Sequence, residues 1–116
     1  MTKEFILKTV CGFYNLDYKE LQSKNKTGKY AKARQVYYYF CKWNTIESLQ
    51  SMAKALNQVH SNAIHGIKET ENRLRYIDFR LEISRINANL TKSEAVFNML
   101  IPIDINLLAL SNSYTY

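Results

Sequence analysis

A chain of 116 residues, 47% hydrophobic and 22% charged, is long enough for one domain with its own core and too short for two, and its single proline and three glycines leave little material for a turn-rich β architecture. The start, Met1-Thr-Lys-Glu, lacks a basic segment followed by an apolar run, so no secretory signal is expected and the chain is expected to stay in the cytoplasm. The formal charge of +6 is concentrated: Lys24, Lys26, Lys29, Lys32, Arg34 and Lys42 lie between residues 21 and 46 with no acid among them, and the rest of the chain holds ten basic and ten acidic residues, a cluster of the kind that binds phosphates by releasing their counterions.

In chain order, Ile6, Val10 and Phe13 recur at helical spacing and predict a first helix over 4–14. Asp17 caps a short second helix, and Asp17 with Glu20 has the spacing of a capping box. Residues 23–30, with Asn25, Thr27 and Gly28, read as a loop that carries half of the basic cluster. Charge alone leaves a solvated face, an acidic protein or a membrane surface open beside nucleic acid. A longer helix is expected over 31–44, with Ala33, Val36, Tyr37 and Phe40 inward and Lys32 and Lys42 reaching solvent. The run Tyr37-Tyr38-Tyr39-Phe40 has the composition of a base-stacking platform, but successive helical residues point ~100° apart and cannot form one flat face, so packing in the core and at its boundary is expected. Cys11 and Cys41 lie far apart on helical segments, without the spacing of a zinc or redox pair, and are expected to be buried thiols.

Thr45 or Ser48 can cap the next helix, whose apolar stripe is Leu49, Met52, Ala53 and Leu56 and which is expected to end near Leu56. After the turn Asn57-Gln58-Val59 a second helix starts near His60, with Ala63, Ile64 and Ile67 on its apolar side and His60, Ser61, Asn62 and His65 on the other. Two short helices joined by a tight turn, the second with small polar residues at its N-terminus, form the arrangement in which that end enters a major groove. The same pattern also describes helical hairpins that bind nothing. A further helix is expected over 69–89, with Leu74, Ile77, Leu81 and Leu90 apolar and acids alternating with arginines on a solvated face. Thr91 and Glu94 form a second capping-box pair, opening an apolar segment that Pro102 breaks or kinks. The stretch 95–110 is interrupted by Asn98, Pro102, Asp104 and Asn106 and is shorter than the roughly 20 apolar residues of a membrane span, so no membrane partner is expected. It is expected to pack on the domain, with a homodimer contact as the alternative, and residues 111–116 are expected to be loose.

Several residues then fall in one order: Val10, Phe13-Tyr14, Leu16, Leu21 and Ser23-Lys24, followed by Ala33-Arg34-Gln35, Lys42, Thr45 and Ser48-Leu49, and finally His60 and His65. In this order the segment from about Ile6 to Ile67 resembles the C-terminal DNA-binding domain of the bacterial replication initiator DnaA. Ala33-Arg34-Gln35 resembles the family's Arg-Gln step, Lys42 its next basic residue, and Thr45 with Ser48-Leu49 its Thr and Ser-Leu where the helix-turn-helix begins, all without a gap. His60 and His65 resemble the two histidines of its signature, Asp-His-Thr-Thr-Val followed by a further His. The resemblance implies an all-α fold of about six helices with a central helix-turn-helix, of the Trp-repressor and DnaA C-terminal kind, in residues 1–90, with 91–116 as an apolar helical extension of the same domain. It implies double-stranded DNA as partner, with the basic loop along the backbone and minor groove and the signature helix in the major groove. On matching positions Lys26 takes the minor-groove role, where the family usually has Arg. Lys24, Lys29, Lys32, Arg34, Gln35, Lys42, His65 and the Ser48-Leu49 backbone hold phosphates, and Val59, His60, Ser61 and Asn62 face base edges.

The departures from the pattern carry chemistry. Val59 stands where the family has Asp, which removes a carboxylate able to accept from a cytosine amino group, and Ser61-Asn62 in place of Thr-Thr loses methyl contacts to thymine while adding an amide that can pair with adenine. The turn is also one residue shorter. A variant of the family's usual box, or looser binding, is therefore expected. Gly12, Gly28 and Gly66 make no Gly-rich phosphate loop, so neither a nucleotide partner nor ATP-driven melting is expected, which leaves site occupation, competition with an initiator, transcriptional regulation or marking of a replication region. The five-residue spacing of His60 and His65 is not the i, i+4 arrangement that puts two histidines on one metal, and neither a catalytic role nor a cofactor is expected. The competing reading is a protein-interaction module that keeps the scaffold and has lost base reading.

Overall fold

The computed structural model describes the backbone of residues 1–100 and the side chains of residues 1–92; residues 101–116, and the homodimer contact expected of the apolar extension, lie outside the described residues. Six helices follow in order: α1 Lys3–Tyr14, α2 Tyr18–Leu21, α3 Gly28–Asn44, α4 Leu49–Lys54, α5 His60–Arg73 and α6 Ile77–Leu100. No strand occurs among the described residues.

The local chemistry sets most of these bounds. Thr2 opens α1 by accepting from the Phe5 N–H at 3.2 Å, and Asn15 closes it in the left-handed conformation, φ 56°, donating its N–H to the Cys11 and Gly12 carbonyls, a helix-end geometry that an Asn tolerates. Asp17 caps α2 through the Lys19 N–H at 3.0 Å. Ser48 is the cap of α4, accepting from the Ser51 N–H at 3.0 Å, whereas Thr45 closes α3 by donating its N–H to the Cys41 carbonyl at 3.1 Å. α4 stops at Lys54, two residues before the expected end, because the chain turns through residues 55–57 with Asn57 at φ 56°.

Four expectations are corrected. α3 begins at Gly28 rather than residue 31, since the Thr27 carbonyl already accepts from the Tyr30 and Ala31 N–H groups; Lys29 is thus helical rather than in the loop. α5 runs on to Arg73 and the break falls at residues 74–76, not before residue 69. Its inward stripe continues through Thr70, a residue that reads as polar but is buried because its hydroxyl donates to the Gly66 carbonyl at 2.9 Å. Thr91 opens no new helix: its hydroxyl donates back to the Asn87 carbonyl at 3.0 Å, the intrahelical bond that competes with a capping role, and α6 crosses the 90/91 boundary unbroken. The buried side of α6 is Phe79, Ile83, Ile86 and Leu90. Of the expected stripe only Leu90 is buried, with Leu74 partly so, while Ile77 and Leu81 face solvent, because the same segment holds two candidate stripes and only the one with Phe79 continues at helical spacing.

α3 is the centre of the packing. Ala33, Val36, Tyr37, Tyr38 and Phe40 are buried on it, against Ile6 and Val10 of α1, Met52 and Ala53 of α4 and Ala63 and Ile67 of α5. The tyrosine run is therefore core, as its periodicity requires, and two of its hydroxyls brace the helix-turn-helix: Tyr37 donates to the Met52 carbonyl at 3.2 Å and Tyr38 to Gln58 Oε1 at 2.7 Å. Both cysteines are buried and unbridged, and burial pushes the Cys11 thiol up to about 11 and the Cys41 thiol up to about 12, which leaves little reactive thiolate.

α5 approaches α3 closely at Gly66. A Cβ there would stand 2.8 Å from Tyr38 Cδ2 and 3.2 Å from the Gln35 Cα, and neither the ring held by Gln58 nor the backbone can yield cheaply. Gly66→Ala is expected to cost about 1–3 kcal/mol by overpacking, read as a lower urea midpoint with an unchanged slope. An unshifted midpoint would mean that α3 and α5 are not in this contact.

Candidate nucleic-acid interface

The segment between α2 and α3 is a compact, internally bonded loop. Ser23 Oγ donates to the Glu20 carbonyl at 2.6 Å and accepts from the Asn25 N–H at 3.2 Å, while Asn25 Oδ1 accepts from the Thr27 N–H and hydroxyl at 2.9 and 2.6 Å. Such short polar side chains fold a turn on their own backbone. Underneath lies Arg34, 5% exposed. Its Nε donates to the Leu21 carbonyl at 2.8 Å and its Nη2 to the Glu20 and Ser23 carbonyls at 3.2 and 3.0 Å. The sequence expectation for Arg34 is a phosphate ligand; here the guanidinium points inward, and its rigid fork pins the two ends of the α2–loop junction.

With Arg34 inside, the charges left outside are Lys24, Lys26 and Lys29, all exposed and none with an acid partner among the described residues. Lys29 lies 5.1 Å from the centre of the Tyr30 ring. Lys32 turns the other way, 2.8 Å from Glu82 and over the Tyr14 and Phe79 rings. Glu82 also accepts from the Tyr14 hydroxyl at 2.7 Å, so Lys32 belongs to a clamp joining α1, α3 and α6. Lys42 pairs with Glu71 at 3.1 Å, eleven residues along α5 from His60, or about 16 Å at helical rise. The structure does not bring Lys32 and Lys42 into the cluster with the loop.

The root of the loop is tied to the turn of the helix-turn-helix by a reciprocal pair of bonds. Gln22 Nε2 donates to the Ala55 carbonyl at 3.0 Å, and Asn57 Nδ2 donates to the Gln22 carbonyl at 3.2 Å. The left-handed conformation of Asn57 reverses the chain there, and three residues later α5 begins. Its first turns present His60, Ser61, Asn62 and His65 to solvent, and Val59 before them is 65% exposed. Val59 has no side-chain acceptor to cap the helix, and Asn62 compensates, its Oδ1 accepting from the Val59 N–H at 3.3 Å. The lysine loop and the leading edge of α5 thus sit on the same junction.

The other expected residues fall around this edge. Ser48 is exposed at the start of α4 and Leu49 is half-buried beside it. Gln35 is half-buried, with Oε1 enclosed and without a hydrogen-bond partner among the described residues. Sequence reasoning missed Gln50 and Lys54. Together with Gln58, Val59, His60 and Ser61 they line a cleft of about 570 Å³ between α4 and the start of α5. The available signal was their position on α4 outside the stripe of Leu49, Met52 and Ala53. Among the described residues no group of three or more His, Cys, Asp or Glu is placed to hold a metal ion, and no described helix is long and apolar enough to cross a membrane.

The family model described as "Bacterial dnaA protein helix-turn-helix" matches residues 3–69, from α1 into α5. The chain is 31% identical over 75 residues to the chromosomal replication initiator protein DnaA of Desulfatibacillum aliphaticivorans, covering 65% of this chain and 16% of that protein. It is 32% identical over 88 residues to the protein of the same name from Wolbachia pipientis wMel, covering 74% and 19%, and 31% identical over 72 residues to that of Ruegeria pomeroyi, covering 61% and 15%. The matched region spans less than a fifth of the length of each of these relatives.

Proposed function

Since the chain belongs to the bacterial DnaA helix-turn-helix family, we propose that it binds double-stranded DNA with a sequence preference, in replication initiation or its regulation. The observation that supports this reading is the Gln22 junction: its bonds to Ala55 and Asn57 join the root of the loop that carries Lys24 and Lys26, cations without an acid partner among the described residues, to the turn before an exposed helix start, and in this reading one duplex touches both. In this reading the leading edge of α5 enters the major groove and offers His60, Ser61 and Asn62 to base edges, with Val59 available to a thymine methyl. Lys26 lies at the minor groove. Lys24, Lys29, the Gln35 amide, His65, Lys54 and the backbone at Ser48-Leu49 hold phosphates, which fix register rather than sequence. Arg34 serves by positioning the loop. Lys42 contributes only if its exposed pair with Glu71 opens, a modest cost of about 0–1 kcal/mol, and Lys32 only if its part-buried pair with Glu82 opens. Asn62 pays a similar toll, because bidentate pairing with adenine requires Oδ1 to release the Val59 N–H.

Selection on random duplexes followed by titration at two salt concentrations tests this. Affinity should fall with salt by a log–log slope of about −0.9 per phosphate contacted. Lys26→Ala should weaken binding to all recovered sequences alike, whereas Asn62→Ala should reorder them. Recovery of the family's usual box as the top site would contradict the roles given to Val59, Ser61 and Asn62. The exposed, apolar Val59 in place of an acid favours a second reading, a protein-binding module on the same scaffold; salt-independent or absent duplex binding would select it.

A further inference from the structure

A groove of about 360 Å³ runs between the C-terminal end of α3 and the middle of α6, lined by Tyr39, Phe40, Trp43 and Asn44 on one side and Arg80, Ile83, Ser84 and Asn87 on the other. Trp43 at its edge is 63% exposed, a large apolar surface for a side chain seldom left in water. Lys42 lies 4.9 Å over its ring, and Arg80 is exposed without an acid partner among the described residues. The groove therefore has an aromatic wall, with Arg80 as the one lining cation, since Lys42 is paired with Glu71. It lies at the opposite end of α3 from Lys29 and is separate from the edge proposed for DNA.

We infer that this groove is the docking site of the chain's own segment 101–110, folded back along α6. Three observations converge on that occupant. The first is chemistry: the segment supplies Ile101, Ile103, Ile105, Leu107, Leu108 and Leu110 and carries no Lys or Arg, an apolar match for the aromatic wall of the groove. The second is reach. From Leu100 back to Asn87 is about 20 Å at helical rise, and from Leu100 to Arg80 about 30 Å, while seven to ten extended residues span about 23–33 Å, which brings Leu107, Leu108 and Leu110 level with the groove. The third is Pro102, which removes a helical N–H and disfavours helical backbone at the residue before it, so the sequence does not favour α6 continuing past this point. A second copy of the chain could offer the same side chains, but a tethered segment needs no partner concentration.

Trp43 is the only tryptophan in the chain, so its fluorescence reports on this groove alone. In the full chain, Trp43 emission is expected to be blue-shifted and several-fold less quenched by acrylamide than free tryptophan, equally so across a hundredfold range of protein concentration. In the variant Leu107→Asp/Leu108→Asp/Leu110→Asp, emission should move to the red and quenching approach that of free tryptophan, with the far-ultraviolet circular dichroism retained. Full quenching of Trp43 in the unmodified chain overturns the inference without recourse to any variant. So does protection that grows with concentration alongside a doubled mass by sedimentation, which assigns the groove to a second copy, and so does a folded variant whose emission matches the parent.

Discussion

Replacing Lys24, Lys26 and Lys29 together by alanine is expected to lower affinity for every duplex by about 100-fold at 0.15 M salt and to make the log–log salt slope shallower by about 2.7, one step of 0.9 for each lost phosphate contact. The two figures are one effect. An association constant that scales with salt to the power −2.7 changes by roughly two orders of magnitude between 1 M, where the counterion contribution vanishes, and 0.15 M. These three are singled out because the remaining members of the basic segment are occupied: Arg34 by three backbone carbonyls, Lys32 by Glu82 and Lys42 by Glu71. Folding should not suffer. The lysines are exposed, and Lys29 lies in the first turn of α3, where a cation opposes the helix dipole, so the urea midpoint should hold or rise slightly. A variant that retains the parent's salt slope would show that the phosphates are met elsewhere on the molecule.

The second large effect is expected at Arg34. Arg34→Met keeps the length and apolar stem of the side chain and removes the fork, leaving the Leu21, Glu20 and Ser23 carbonyls without their donor. Hydrogen bonds to a charged group contribute about 1.5–3 kcal/mol each. Water reaches part of this junction once the loop loosens, so a net loss of about 2–4 kcal/mol in stability is expected, by the same mutational scale. Duplex affinity should fall as well, because the lysines lose their common platform, yet the salt slope should stay where it was, since the number of lysines meeting phosphates is unchanged. That combination separates a positioning residue from a ligand. A direct phosphate contact at Arg34 would instead reduce the slope by about 0.9, and Arg34→Lys would then retain most of the affinity, whereas a lysine cannot reproduce a three-carbonyl fork.

What sequence alone made legible here was whatever chain neighbours decide. The stripes of α1, α3 and α4 were visible as 3.6-residue periods, Asp17 and Ser48 as caps, a turn at Asn57 though it begins two residues earlier than expected, and the exposed run from His60 as the free edge of a helix-turn-helix. Contacts between distant residues were not legible. Nothing in the spacing says that Arg34 reaches back 13 residues to the Leu21 carbonyl, or that Lys42 meets an acid 29 residues away. A lysine in a basic run looks the same whether it faces water or a glutamate on another helix. Thr70 was misleading for the opposite reason: a hydroxyl satisfied by its own helix is free to be buried, and a stripe read from apolar residues alone stops at Ile67, one turn early. On α6, two overlapping stripes fitted the period, and only packing against α1 and the core chose Phe79, Ile83 and Ile86 over Ile77 and Leu81. The Gln22 junction, on which the functional reading rests, joins residues 33 and 35 positions apart and had no local signature.

The most direct test of the account is a nitrogen-15 NMR titration of the full chain with a short duplex at low salt. Backbone amides of residues 22–29 and of residues 59–65 should shift together, along curves that fit one dissociation constant, while those around Trp43 and Arg80 stay still. Shifts confined to one of the two segments, or two segments following different constants, would contradict the claim that a single duplex lies across the lysine loop and the start of α5.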